Sequence, residues 1–87
     1  PHMGWNNVDL TNSHPMWNKI DTDNRFYFVH SFYAEVTDKN LVMATSNHGE
    51  KFTSAIARNN IFAVQFHPEK SSKLGLQLLN NFINWDI

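Results

Sequence analysis

Hydrophobic and polar positions divide the chain into a polar opening, a run of short apolar segments and one final amphipathic stretch. In the opening, "PHMGWNNVDL" carries a turn signal at Met3-Gly4. "TNSHPMWNKIDTDN" gathers Asn, Asp, Ser and Thr around Pro15, as loops do. "RFYFVHSFYAEV", nearly all aromatic or β-branched from Phe26 to Tyr33, predicts a strand. The polar break "DKN" follows, and "LVMATSN" predicts a second strand that ends in an Asn47-His48-Gly49 turn. "KFTSAIA" and "IFAVQF", separated by "RNN", predict a third and a fourth. Connections this short favour antiparallel hairpins.

After the fourth strand the period of the apolar positions changes from two to that of a helix. Ser71 or Ser72 offers an N-cap, and "KLGLQLLNNFINW" places Leu74, Leu78 and Phe82 on one stripe that Leu79 and Ile83 widen. Gly75 inside this helix costs roughly 1 kcal/mol relative to Ala, and its lack of a side chain allows close packing on the sheet. The expected fold class is α+β: a mainly antiparallel sheet of about four strands with the C-terminal helix packed on one face.

Composition narrows the function. At 87 residues the chain is at most one small domain, and 41% apolar against 17% charged residues marks it as globular. A net charge of -1 gives no electrostatic case for nucleic acid or an anionic membrane surface. No apolar run approaches the ~20 residues of a membrane helix. The absence of cysteine excludes disulfides and thiolate metal ligands and suits a cytoplasmic protein. The five histidines stand at no metal-ligand spacing and no glycine-rich phosphate loop occurs, so neither metal nor cofactor is expected.

Candidate chemistry concentrates in "FAVQFHPEKSS", Phe62 to Ser72. Alternation puts Ala63, Gln65 and His67 on one face of the fourth strand and Phe62, Val64 and Phe66 on the other. Pro68 biases His67 toward extended geometry, and in an extended chain Glu69 falls on the same side as His67. A glutamate there accepts the imidazole N–H, selects the tautomer and stabilises the imidazolium, which is how a base is prepared for a nucleophile. The alternative is structural: a histidine closing a strand, and a glutamate favourably placed near a helix start. His30, likewise, is either a satisfied core histidine or part of a site.

The letters around this pair decide how it is weighed. "FAVQFHPEKSSKLGLQLLNNF" resembles the C-terminal signature of class I (triad) glutamine amidotransferases, whose Cys-His-Glu triad takes two members from a His-Pro-Glu motif. "FYFVHSFYAE", "PHMGWN" and the Lys-Ser after His-Pro-Glu make the chain similar to the family's branch of glutaminase subunits of imidazole glycerol phosphate synthases, in histidine biosynthesis. The resemblance spans Pro1 to Phe82. It implies that His67 is the general base and Glu69 its orienting partner, acting on a cysteine thiolate that attacks the amide of glutamine. It implies that His30, Ser31 and Phe32 hold the amino-acid end of glutamine, although Phe32 stands where the family commonly has Tyr. Trp5, Tyr27 and Lys70 are implied to face a cyclase subunit, a (β/α)₈ barrel that receives the ammonia.

The family's cysteine elbow and oxyanion-stabilising backbone belong to a part with no counterpart in these 87 residues. Residues 1–87 are therefore expected to be the C-terminal portion of a larger α/β amidotransferase domain, inactive alone and prone to self-association through uncovered faces. Two other readings stay open: a paralogous glutaminase feeding a surface-sugar amidating enzyme, and a non-catalytic binding module with a degenerate amidotransferase fold.

Overall fold

The phenylalanines of the strongest predicted strand determine how the elements come together. A computed structural model describes residues 2–30 and 35–85. In it, the strand predicted over residues 25–36 runs over Phe26–His30 (β3); residues 31–34 lie outside the described residues, and Glu35 and Val36 belong to no strand. It pairs antiparallel with β1, His2–Asn6, in a register that sets His2 opposite His30 and Trp5 opposite Tyr27. The Met3-Gly4 turn expected from sequence is thus a strand, with Gly4 opposite Phe28. β1 and β3 form a two-stranded ribbon of their own.

The remaining strands form the antiparallel four-stranded sheet that the pattern predicts, with one exchange of membership. Its order is β2 (Asp9–Leu10), β4 (Val42–His48), β5 (Glu50–Arg58), β6 (Ile61–Val64). The Asp9–Leu10 strand takes the place that alternation alone assigned to the Phe26 segment. Gly49, at φ +78°, is the single residue between β4 and β5, a backbone conformation that glycine tolerates without strain. Asn59 begins the β5–β6 connection at φ +54°, which asparagine accepts more readily than most residues. In β4 the register slips around Ala44. There the Met43 carbonyl accepts both the Thr11 N–H at 3.0 Å and the Trp17 indole N–H at 3.2 Å.

Alternation along β3 sends Phe26, Phe28 and His30 inward and Tyr27 and Val29 outward. Phe26 and Phe28 are fully buried, and Phe66 packs on both at ring separations of 4.3 and 5.7 Å. At the end of the ribbon His2 lies flat between Phe28 and His48, at 4.6 and 4.1 Å. Its Nδ1 stands 2.9 Å from Nε2 of His30. Three histidines dispersed along the sequence therefore meet through strand pairing, which no local spacing announces.

The helix α1, Ser72–Ile83, is seated on β3 and on two 3-10 turns, Pro15–Trp17 and Pro68–Lys70. Its buried face is Gly75, Leu78 and Asn81, with Leu74 half-covered. Asn81 donates from its amide to the carbonyls of Met16 and Asn18, at 2.7 Å each, and so ties the helix to the earlier turn. Phe82, Leu79 and Ile83, expected on the inner stripe, face outward because the buried face is centred on Gly75 and Asn81, two residues that hydrophobicity does not mark. Gly75 meets the Pro68 turn rather than the sheet. A Cβ there would fall 1.9 Å from the Pro68 carbonyl oxygen and 2.9 Å from Cβ of Ser71.

That contact generates the first prediction. Alanine is the better helix former by roughly 1 kcal/mol, yet Gly75→Ala must force helix and turn apart, with an overpacking cost of about 1–3 kcal/mol or more. Urea unfolding of the variant is expected to show net destabilisation, and a gain in stability would contradict the packing described.

The histidine group generates the second. Burial first, and the neighbouring His48 and His30 next, lower the His2 imidazole below its ordinary 6.5; burial alone lowers His14. The unfolded chain thus takes up these protons before the folded one. The destabilisation is absent above about pH 7, sets in as pH falls through 6.5, and is complete below the folded-state values. Thermal midpoints measured at falling pH should decline across that window, and His2→Gln should flatten the slope.

Candidate functional site

The site grows from the point where β6 ends. Beyond Val64 the chain continues through Phe66, buried on Phe26, and reaches His67, whose N–H donates to the Tyr27 carbonyl at 2.8 Å. The base candidate is thereby attached to the ribbon, at the strand that carries the fully buried Phe26 and Phe28. Pro68 then starts a 3-10 turn, closed by Lys70 N–H to the His67 carbonyl at 3.0 Å and Ser71 N–H to the Pro68 carbonyl at 3.0 Å. The extended geometry expected through Glu69 is not what forms, because the turn's own hydrogen bonds bend the chain here. The turn nevertheless brings Glu69 back to the ring: Nδ1 of His67 lies 3.0 Å from Oε2 of Glu69.

Electrostatics assign the proton in this contact. The hydrogen bond to His67, and then one to its own backbone N–H, hold the Glu69 carboxyl below its ordinary value of 4.5. At neutral pH Glu69 is a carboxylate and can only accept, so the hydrogen of this contact lies on Nδ1, and Nε2 is the ring nitrogen that Glu69 does not engage. The linkage lies in a different window from that of His2. Its contribution is present above pH 4.5 and lost as pH falls through the depressed value. Both groups are open to water, with the imidazole 38% and the carboxylate 60% exposed. A contact so exposed is screened and contributes little to stability.

Ser71, which the pattern marks as an N-cap, spends its hydroxyl elsewhere. It makes no capping bond to the helix. Instead its Oγ accepts from the Tyr27 N–H at 2.9 Å and donates to the His67 carbonyl at 2.6 Å, buried from solvent. No local sequence signal could reveal this, since the partner lies 44 residues away.

The other residues singled out from sequence fall into two groups. Trp5 and Tyr27 are cross-strand neighbours whose rings meet edge to face at 5.7 Å on the outward side of the ribbon. Lys70 closes the turn that carries His67 and is exposed. Trp5, Tyr27, His67, Glu69 and Lys70 are thus linked through one strand and one turn. His30 belongs to the inward face and the histidine group at His2. Ser31 and Phe32 lie outside the described residues. Among the described residues no group of three His, Cys, Asp or Glu side chains can hold a metal, and no helix is long and apolar enough to cross a membrane.

Comparison with known proteins accounts for this geometry. Residues 1–85 match the family described as glutamine amidotransferase class-I. The imidazole glycerol phosphate synthase subunit HisH of Aromatoleum aromaticum is 59% identical over 85 residues, covering 98% of this chain and 40% of that protein. The subunits of the same name from Acinetobacter baylyi and Hydrogenovibrio crunogenus are 57% and 54% identical, with 100% and 99% of this chain covered and 43% and 40% of theirs. The chain therefore spans only about 40% of the length of these relatives. With a family match running nearly from end to end around the His-Pro-Glu turn, the chain belongs to the class-I glutamine amidotransferases.

Proposed function

We propose that these 87 residues are the C-terminal portion of a glutaminase subunit of imidazole glycerol phosphate synthase, the part that supplies the base and its orienting carboxylate. The observation that carries this reading is the 3.0 Å contact from His67 Nδ1 to Glu69, which leaves Nε2 free. In the proposed reaction, a cysteine from the remainder of the protein gives its proton to Nε2 and attacks the side-chain amide of glutamine. His67 returns the proton to the leaving nitrogen, ammonia departs, and water hydrolyses the thioester to glutamate. Glu69 keeps the ring in the working tautomer and stabilises the imidazolium between these steps. His30, with Ser31 and Phe32, holds the amino-acid end of glutamine. The Trp5–Tyr27 pair and Lys70 face a (β/α)₈ cyclase that receives the ammonia. Two aromatic rings with polar edges suit such a surface.

The test uses the full-length subunit with its cyclase. His67→Ala should lower glutamine hydrolysis by about 10²–10⁴-fold, the usual worth of a positioned base, with assembly intact. Glu69→Gln should also weaken it while leaving docking unchanged. Lys70→Ala should reduce glutamine-dependent cyclase turnover more than glutaminase turnover. Full activity in His67→Ala would remove the catalytic assignment while leaving family membership in place. These 87 residues alone, with no cysteine, should release no ammonia above background.

The surface of the isolated chain supports a related proposal. Leu76, Phe82 and Ile83 are 68%, 60% and 78% exposed along one helix, an apolar face suited to burial against another surface. By itself the chain should self-associate. Light scattering that reports a folded monomer at micromolar concentration would contradict this.

A further inference from the structure

The backbone of His67 is held in a closed circuit. In an antiparallel sheet, a hydrogen-bonded pair of residues exchanges both of its N–H···O=C bonds directly. His67 and Tyr27 make one of these, His67 N–H to Tyr27 carbonyl at 2.8 Å. The return bond is interrupted by a side chain: Tyr27 N–H donates to Oγ of Ser71 at 2.9 Å, and that hydroxyl donates to the His67 carbonyl at 2.6 Å. The inserted hydroxyl lets the chain leave β3 on one side of His67, as the Pro68 turn requires, while satisfying the Tyr27 N–H and giving the His67 carbonyl a second donor beside the Lys70 N–H at 3.0 Å. Ser71 is 1% exposed, so water has no ready access to take its place. Ser72, the next residue, stands at φ +54°, an uncommon conformation outside glycine, where the chain swings from this turn into α1.

We infer that Ser71 is a positioning residue for His67: its hydroxyl fixes the main chain of the base so that the imidazole meets Glu69 on one side and the substrate on the other. The inference rests on the assignment of His67 as the base. A base displaced by about 1 Å loses on the order of 10²-fold in rate, whereas glutamine binding does not depend on where the imidazole points. The effect of losing the hydroxyl should therefore fall on kcat.

The experiment measures glutamine hydrolysis by the full-length subunit with its cyclase. Ser71→Ala should lower kcat by roughly 10–100-fold with KM for glutamine within about two-fold. The Nδ1–H proton resonance of His67, hydrogen-bonded to Glu69 and read in the assembled complex, should broaden or vanish in the same variant. Ser71→Cys, close in volume but a poor hydrogen-bonding group, gives a second reading should the alanine variant fail to fold, with the same loss of kcat expected. Wild-type kcat and an intact Nδ1–H resonance in whichever variant folds would overturn the inference, whatever the change in thermal midpoint. His67→Ala, run alongside, separates the two ideas. If it is inactive while Ser71→Cys is fully active, the positioning role fails alone; if it is active, the assignment of the base fails first.

Discussion

Burial of the inward face of β3 is the constraint on which the other elements depend. Phe26 and Phe28 are fully enclosed, and each contributes about 1.5–3 kcal/mol by burial, with roughly 0.5–1.5 more for each well-placed ring contact. They hold Phe66 from the segment after β6, Phe52 from β5 and His2 from β1 in one aromatic cluster. Against these terms the His67–Glu69 contact, open to solvent, is a minor contributor. The rings decide where β3 lies, and β3 decides where His67 lies.

The division of labour follows from strand geometry. Successive residues of β3 face opposite ways, so a strand that buries Phe26 and Phe28 must present Tyr27 and Val29 outward. Between those two faces the main chain of Tyr27 is free to take up His67 and, through a hydroxyl, to close the circuit. The core, the aromatic outer surface and the support of His67 thus meet within three consecutive residues. Gly75 completes the arrangement from the helix side, where only a hydrogen fits against the Pro68 carbonyl.

Much of this was legible in the sequence where the signal is local. Period-two runs joined by Asn-His-Gly and Arg-Asn-Asn turns marked β4, β5 and β6, and the 3.6 period marked α1. The His-Pro-Glu letters marked the pair, and their contact survives although the turn is not extended as expected. What was hidden is what depends on distant pairing. β1 looks like a turn because Gly4 interrupts it, and it becomes a strand only by matching His30 and Tyr27, more than twenty residues on. β2 is two residues long and carries no pattern of its own. The inner face of α1 was misjudged because its central residues are a glycine chosen for closeness and an asparagine chosen for hydrogen bonds. Ser71 looks like a cap for the same reason: position in sequence does not show where a hydroxyl points.

The support of His67 is carried by the backbone of residue 27, while the outer surface is carried by its side chain. Those two properties can therefore diverge separately over evolutionary time. An exchange of one aromatic ring for another at that position would alter the outer face of the ribbon and leave the amide and carbonyl that hold His67 where they are. A lineage could in this way remodel that face while the placement of His67 is inherited unchanged.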